Sequence, residues 1–354
     1  MSFRDHIVGC AVGVTLEALG VPHETITPEE ILALTNGAGL TGLHPALKPP
    51  AFHSVTRIPL GGTSDDWQLW RAVARSLIAR RGEFDAIDMG REHVLELNRC
   101  TDGWGSSTED GARRIERALD FGGIERLYPE IPPRTPHPPI PGEDPNAKGC
   151  GNGVAMKVGP LAIASLRFES RDRWLWESCQ KLGELTHPNP RAWIAAYALA
   201  WCIRECLHRA EIGERPFREG WAPDEFLHTL LNVMTCHEPV GGDRVEDRLR
   251  RLRQPGVLRS AEALREATGT SCYALESVPF VIGTFLRHPA NVRAGVLETL
   301  NAGGDTDTNV GMYASLAAAN EGYRAIPKKW LAQIPNSRQA FALGEALYNL
   351  HERH

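Results

Sequence analysis

The sequence predicts an all-α protein, and three observations lead to that prediction. Apolar residues recur at helical spacing from end to end of the 354-residue chain, as in the run from Trp67 to Arg80. Strict alternation of apolar and polar residues, which marks a half-buried strand, is almost absent. Short segments rich in glycine and proline separate the helical runs and act as stop signals.

The helices are expected in a definite order. The first covers residues 6–20 and stops at Gly20, with Pro22 beyond it; small residues such as Gly13 predict close packing against a neighbour. The second begins at Thr27, where Thr-Pro-Glu-Glu is a capping-box start. Residues 36–62 are interpreted as a loop or a short hairpin. Further helices are predicted at 67–80, 86–98, 109–121, 154–166, 191–208, 223–235, 245–253, 260–267, 278–286, 292–300, 309–320 and 338–352.

The composition is that of an ordinary globular protein. Hydrophobic residues make up 42% of the chain and charged residues 23%, which is enough apolar material for a large core. A net charge of −5 gives no reason to expect a nucleic-acid-binding patch. The start lacks the features of a signal peptide, and no run approaches the roughly 18 apolar residues of a membrane helix. With eight cysteines and no Cys-x-x-Cys pair, a cytoplasmic protein is expected.

The domain organisation is predicted to be a single domain over residues 1–354, because no clear linker interrupts the helical pattern. The rival boundary is the stretch 129–145, in which eight of seventeen residues are proline. Such a density excludes a helix or a central strand, so an extended surface loop is expected there. We expect the protein to be a monomer.

Two clusters of oxygen-bearing side chains stand far apart in the sequence. One is the stretch 303–308, Gly-Gly-Asp-Thr-Asp-Thr, and the other is 61–66, Gly-Gly-Thr-Ser-Asp-Asp; each opens a helical run. Carboxylate and hydroxyl oxygens suit Mg²⁺, Mn²⁺ or Ca²⁺ rather than zinc or copper. The sequence therefore predicts one divalent-metal site built from both ends of the chain. Its ligands would be Ser64, Asp65, Asp66, Asp305, Asp307 and Thr308.

Helix capping is the competing interpretation of both clusters. Ser, Thr and Asp in front of a helix are the residues that capping alone selects. The paired glycines point to a further demand, because glycine permits close backbone approach and dihedral angles that a cap does not require. The residues by themselves leave both interpretations open.

Four motifs, taken in order, resemble the ADP-ribosylglycohydrolase family. Glu17-Ala-Leu-Gly20 followed by Glu24 is similar to the family's Gly-Asp-Ala-Leu-Gly helix and loop glutamate. Ser64-Asp-Asp is similar to its Thr-Asp-Asp, and the stretch 151–161 to its Gly-Asn-Gly-x-Ala-Met-Arg-x-x-Pro-Leu, with His187 downstream. The family's Gly-Gly-Asp-Thr-Asp-Thr is matched in full at 303–308. The resemblance covers residues 6–330.

The resemblance implies a compact orthogonal helical bundle with two Mg²⁺ ions, or Mn²⁺ in their place, in a cleft. The metals would hold hydroxyls of the distal ribose of an ADP-ribosyl group while water attacks its anomeric carbon through an oxocarbenium-like transition state. Glu24 would reach the metal site from a loop, and one of Asp65, Asp66, Asp305 and Asp307 would help to activate the water. The cleft would be lined by Gly105, Asn152, Gly153 and His187. Gly105 and His187 are equally suited to hold turns.

The implied activity is a metal-dependent glycosidase that frees ADP-ribose from a modified acceptor, with arginine as the default linkage. An ADP-ribosylated protein or a small molecule containing ADP-ribose would be its partner. One alternative is a non-catalytic ADP-ribose-binding relative, and another is a two-metal hydrolase of a different nucleoside or nucleotide glycoside.

Three departures from the family pattern bear on these alternatives. Ser64 stands for the usual Thr and keeps the hydroxyl, whereas Glu17 stands for the usual Asp and has no obvious local partner. Trp67 stands where a small hydroxyl residue is usual, and the Pro-rich stretch is longer than typical. This last departure is expected to affect substrate access, and it leaves the linkage that is cleaved undecided.

Overall fold

The all-α prediction is confirmed by a computed structural model, which describes residues 2–50, 55–121, 149–214, 217–218, 223–235 and 244–352. Within those ranges the secondary structure is helical, and β-type pairing is limited to one antiparallel bridge between Gly151 and Tyr273. The Pro-rich stretch 129–145 lies outside the described residues. The extended loop expected there, and the single domain, stay predictions.

The α-helices of the described ranges are numbered in chain order. They are α1 (Phe3–Gly13), α2 (Pro28–Leu34), α3 (Asp65–Ala79), α4 (Ala86–Leu97), α5 (Ser106–Phe121), α6 (Gly159–Ser165), α7 (Arg171–Thr186), α8 (Pro190–Glu211), α9 (Pro223–Thr235), α10 (Val245–Arg250), α11 (Ala261–Thr268), α12 (Ala274–Arg287), α13 (Val292–Asn301), α14 (Thr306–Glu321), α15 (Lys328–Leu331) and α16 (Ser337–Tyr348).

Most of these helices coincide with predicted ones, because hydrophobic periodicity is strong where one face is buried. The predicted cap of α2 is present: Glu30 N–H donates to Thr27 Oγ1 at 3.2 Å, and Thr27 N–H donates to Glu30 Oε2 at 2.9 Å. Two helices, α7 and α15, were not predicted. The buried face of α7 includes Ser178, Gly183 and Thr186, so its apolar stripe is weak in the sequence.

The first predicted helix, residues 6–20, divides in the structure. After α1 the chain tightens into a 3-10 helix, Val14–Leu19, and then a second one, Val21–His23. Together these make Phe3–His23 the one described segment with the length and hydropathy of a membrane span, which the sequence analysis did not anticipate. The apolar window of this segment is 94% buried inside the fold, as expected for a core helix.

The centre of the fold is α14, which is buried on every side from Thr306 to Asn320. A helix that is buried all round must be packed by other helices. Helix α1 lies so close to it that a Cβ atom added at Gly13 would stand 2.4 Å from the carbonyl oxygen of Ala314. A Cβ added at Gly20 would stand 2.4 Å from the carbonyl oxygen of Thr306. This close approach brings the 3-10 segment with Glu17 against the first turn of α14.

Gly13→Ala tests whether this close approach holds the fold together. On helix propensity alone the change should stabilise a helix by about 1 kcal/mol. The clash with Ala314 should instead destabilise the protein by about 1–3 kcal/mol, the usual range for an overpacked core. Thermal unfolding measures the difference, and Gly105→Ala is the control, because its added Cβ meets no atom within 4 Å. Equal melting temperatures for the two variants would contradict the prediction.

Candidate metal centre

The two oxygen-rich clusters meet at the first turns of α3 and α14, as predicted. Thr308 Oγ1 donates to Asp66 Oδ2 at 3.2 Å, and Ser64 Oγ lies 3.0 Å from Asp307 Oδ2. Ser64, Asp66 and Asp307 are buried, with 0%, 0% and 2% of their surface exposed. These residues of the centre are therefore part of the core, at the buried starts of α3 and α14.

The capping interpretation of the clusters is not supported by the structure. Ser64 and Asp305 do occupy the N-cap positions of α3 and α14, yet neither side chain accepts a capping hydrogen bond from a backbone N–H of its own helix. Other helices of the protein are capped in the usual way, by the side chains of Ser2, Thr27, Asp85, Asn189, Ser260 and Asn291. The oxygens of Ser64 and Asp305 are instead used across the interface between distant segments.

The carboxylates form two groups that could each hold a cation. In the first group, Glu17, Asp66 and Asp307 each place one oxygen within 4.8 Å of the others, and in the second Glu24, Asp305 and Asp307 do the same. Asp307 belongs to both. Asp65 lies outside both groups but raises the pKa of Glu24 by its charge, so it contributes to the same negative field. The arrangement is that of two adjacent groups of carboxylates with Asp307 in common.

Several oxygens of the centre are buried without a hydrogen-bond donor in the described part of the protein. They are Asp66 Oδ1, Asp307 Oδ1 and Glu24 Oε2. A buried acceptor without a partner is costly, and a buried charge more so. Hard carboxylate oxygens of this kind are what Mg²⁺ and Mn²⁺ coordinate, so the residues present fit a divalent cation.

The pKa values of the carboxyl groups in the centre are raised, which also indicates that these groups lack a neighbouring positive charge. Burial, then the charge of Asp305, raises the pKa of Asp66 to about 7. Burial and the neighbouring aspartates raise the pKa of Glu24 to about 11. Burial and like charges also raise the pKa values of Glu17, Asp65 and Asp305 well above their ordinary range. Each carboxylate is pushed towards its protonated form unless a cation offsets the charge.

The paired glycines at 303 and 304 connect the loop of Glu24 to the centre. Their φ angles are +70° and +79°, a region that favours glycine. Gly304 N–H donates to the carbonyl of Ile26 at 3.0 Å, and Thr25 N–H donates to the carbonyl of Gly304 at 2.8 Å. A Cβ at Gly303 would stand 2.3 Å from the Ile26 oxygen, so this contact needs glycine. The Glu24 loop is thereby held next to Asp305.

One wall of the centre is formed by three of the predicted substrate-binding residues. Asn152 Nδ2 donates to Asp305 Oδ2 at 2.8 Å, and a Cβ added at Gly153 would lie 2.7 Å from His187 Cε1. His187 Nδ1 lies 3.0 Å from Thr186 Oγ1, and burial lowers the His187 pKa to about 3. Asn152, Gly153 and a neutral His187 therefore lie side by side, next to Asp305.

Gly105 is not placed at this wall. It is exposed, and a Cβ added there would meet no atom within 4 Å. Gly103, two positions earlier in the same glycine-rich turn, is the residue at the centre: an added Cβ would lie 2.9 Å from Ser64 Cβ and 3.2 Å from Asp65 Oδ1. The sequence offered no means of choosing between two glycines in one turn.

Trp67 is packed into the core. Its side chain is fully buried and stacks on Trp70, with ring centroids 5.8 Å apart and planes inclined by 21°. The expectation that this residue reshapes substrate access is therefore not supported. The large side chain that stands in place of a small hydroxyl residue is packed within the core instead.

Glu17 is the residue of the centre that sequence reasoning missed. Its side chain is fully buried, accepts hydrogen bonds from α3 and belongs to the first group of carboxylates. The signal available in the sequence was an acidic residue inside an apolar, small-residue helix. Its partners are about fifty residues away in the chain, since Ser64 and Trp67 are separated from it by 47 and 50 positions.

Comparison with known proteins agrees with this geometry. The family profile described as ADP-ribosylglycohydrolase matches residues 1–354. ADP-ribosylhydrolase ARH3 of Mus musculus is 25% identical, over 98% of this chain and 91% of its own. ADP-ribosyl-[dinitrogen reductase] glycohydrolase of Rhodospirillum rubrum is 24% identical, over 94% and 91%. A solved structure titled ADP-ribosylglycohydrolase-related protein complex has the same fold, with a TM-score of 0.67 and 22% identity over 99% of both chains.

The raised pKa of Asp66 predicts how pH and Mg²⁺ act on stability. Between the ordinary Asp pKa of about 4 and the folded value of about 7, the folded state keeps a proton that the unfolded state releases. The metal-free protein should therefore lose stability as the pH rises through that interval. Mg²⁺ binds the ionised carboxylates, so it should raise the melting temperature more at about pH 8 than at about pH 5.

The melting temperature is measured in EDTA and in saturating Mg²⁺ across this pH range. Asp66→Asn is the matched variant, because it removes the titrating group and, with it, the charge by which Asp66 raises the pKa values of Glu17, Asp65 and Asp307. The gain in melting temperature from Mg²⁺ should depend on pH more strongly in the wild-type protein than in Asp66→Asn. A Mg²⁺ effect that is equal in both proteins, or equal at both pH values, would contradict the prediction.

Proposed function

The chain belongs to the ADP-ribosylglycohydrolase family, and we propose that it is a Mg²⁺-dependent hydrolase that releases ADP-ribose from a modified protein side chain. The observation that carries the proposal is the pair of carboxylate groups sharing Asp307, with buried oxygens that lack donors. Such a pair next to a wall of glycine, asparagine and histidine suits a substrate with both hydroxyls and phosphates.

The residues that would hold the cations are those with oxygens in the centre. They are the six predicted ligands, Ser64, Asp65, Asp66, Asp305, Asp307 and Thr308, together with Glu24, which lies in the second group of carboxylates. Bound divalent cations supply electrophilic chemistry: they orient hydroxyls and lower the pKa of water. Mn²⁺ could serve in place of Mg²⁺, because both prefer oxygen ligands.

The other parts of the reaction fall to the protein's own groups. Hydrolysis breaks the bond between the anomeric carbon of the distal ribose and its acceptor, and it needs a base for the proton of the attacking water. Glu24 and Asp305 are the carboxylates of the centre that are partly exposed, so they are best placed to face a substrate. Asn152 donates a hydrogen bond to one oxygen of Asp305 and so orients this carboxylate.

A protein acceptor is proposed because a relative's name states one: the Rhodospirillum rubrum enzyme is named for ADP-ribosyl-dinitrogen reductase. Arginine is the first linkage to test. Neither alternative function gains support from the described residues. The carboxylate set argues against a binding protein without chemistry, and the burial of Trp67 removes one of the two reasons to expect a different nucleoside glycoside. We also propose a cytoplasmic monomer, on composition alone.

Release of free ADP-ribose from an arginine-ADP-ribosylated protein, with Mg²⁺ and with EDTA, tests the proposal. Release should occur with Mg²⁺ and stop in EDTA. Serine-ADP-ribosylated protein and free nucleosides are compared in the same assay. Release from serine alone would correct the linkage and leave the enzyme class standing, whereas cleavage of nucleosides alone would overturn the proposal.

Asp307→Asn tests the shared ligand. The variant should lose more than about 100-fold in kcat/KM, because changing residues that merely orient metal ligands already costs about 10–100-fold. Asp88→Asn is the matched control. Asp88 lies in α4, outside the centre, and pairs with Arg80, so this substitution should leave the rate unchanged. Full activity of Asp307→Asn would show that the metal assignment is wrong.

A further inference from the structure

Glu17 uses both of its carboxylate oxygens on the first turn of α3. Oε2 accepts the hydroxyl of Ser64 at 2.5 Å, and Oε1 accepts the backbone N–H of Trp67 at 3.0 Å. Trp67 is the third residue of α3, and Ser64 is its N-cap. In an ordinary N-cap the serine oxygen itself accepts the N–H of the second or third helical residue. Here Glu17, from a different helix, has taken that donor.

The displaced serine hydroxyl has a single proton to donate. Ser64 Oγ lies 2.5 Å from Glu17 Oε2, 3.0 Å from Asp307 Oδ2 and 3.4 Å from Asp66 Oδ2. The shortest of these contacts is the one that receives the proton. The oxygen lone pairs of Ser64 then face the carboxylates of Asp66 and Asp307. The oxygens of Ser64, Asp66 and Asp307 then face one another without a donor between them, and a cation bound among them would satisfy all three.

The position of Glu17 is fixed by close packing. Glu17 lies on the 3-10 segment that follows α1, and this segment is pressed onto α14. A Cβ added at Gly311 would stand 3.3 Å from Glu17 Cβ and 3.7 Å from Asp66 Oδ1. Gly311 therefore leaves the space in which the glutamate reaches both Ser64 and Trp67.

We propose that Glu17 is a positioning residue: it caps α3 in place of Ser64 and accepts the Ser64 hydroxyl proton, so that Ser64 presents a lone pair to a cation held by Asp66 and Asp307. The inference rests on the proposed metal-dependent function and extends it to a residue that acts through Ser64. Removing the negative charge at position 17 should weaken metal binding even though all the proposed ligands are retained.

Glu17→Gln tests the proposal with Mn²⁺ and Mg²⁺ binding by isothermal titration as the readout. The amide can still accept the Trp67 N–H, but its NH₂ group then donates to Ser64 and turns the serine proton towards the cation. The Kd for Mn²⁺ should rise about 10–100-fold, the usual effect of losing a residue that orients a metal ligand. The melting temperature in EDTA should be unchanged or higher, because a crowded buried carboxylate is removed. A merely structural role would lower it.

The double-mutant cycle with Ser64→Ala shows whether Glu17 acts through the hydroxyl. In the Ser64→Ala background, Glu17→Gln should add less than about 2-fold to the Kd, since coupled residues are not additive. Glu92→Gln is the matched control for the carboxyl-to-amide change. Glu92 lies in α4 and pairs with Arg75 of α3, so this substitution should leave the Kd unchanged. If Glu17→Gln does not fold, Glu17→Ala carries the same test, because it also removes the carboxylate that accepts the Ser64 proton.

Each outcome has a distinct meaning. A wild-type protein that binds neither Mn²⁺ nor Mg²⁺ would overturn the proposed function itself. A wild-type protein that binds them, together with an unchanged Kd in the Glu17 variants, would overturn the role of Glu17 alone. Additive effects of Glu17→Gln and Ser64→Ala would also overturn it, because they would show that the two residues act independently.

Discussion

The contact on which the structure depends is the close packing of α1 and its 3-10 extension against α14. Gly13 and Gly20 let the two backbones approach until no side chain fits between them. Since α14 carries Asp307 and Thr308 on its first turn, this packing also determines where Glu17 lies. The α3 helix is then joined to both through Ser64 and Asp66. Core packing and the metal centre are thus one feature of the fold.

A centre of this kind opposes the stability of the fold that holds it. Carboxylates from three segments are buried together, and burial with mutual repulsion raises their pKa values. Proteins tolerate such groups where a function requires them, and the surrounding core must be rigid enough to keep them in place. Here the four aspartates lie at the starts of α3 and α14, and the Glu24 loop is tied to the centre by backbone hydrogen bonds with Gly304.

Polar residues at the helix N-cap positions of this protein are of two kinds: some cap their own helix, and others bond to distant segments. Thr27 and Ser260 cap their helices with their own side chains and take no part in the centre. Ser64 and Asp305 hold the same kind of position, and their oxygens are turned to other segments. A cap position that is occupied by a suitable residue but not used for capping points to another demand on that side chain.

The sequence by itself determined the helical class, nearly all of the helices and the two oxygen-rich clusters, because these follow from local periodicity and from residue chemistry. The residues left the pairing of the two clusters open beside helix capping. The tertiary structure decided what depends on distances between remote segments. Glu17 acquired its partners from α3, Gly103 rather than Gly105 came to lie against Asp65, and Trp67 turned into the core. A motif states which atoms are available. The packing of α1, α3 and α14 determines which of these atoms come into contact, since a displacement of one helix by one turn would change every contact.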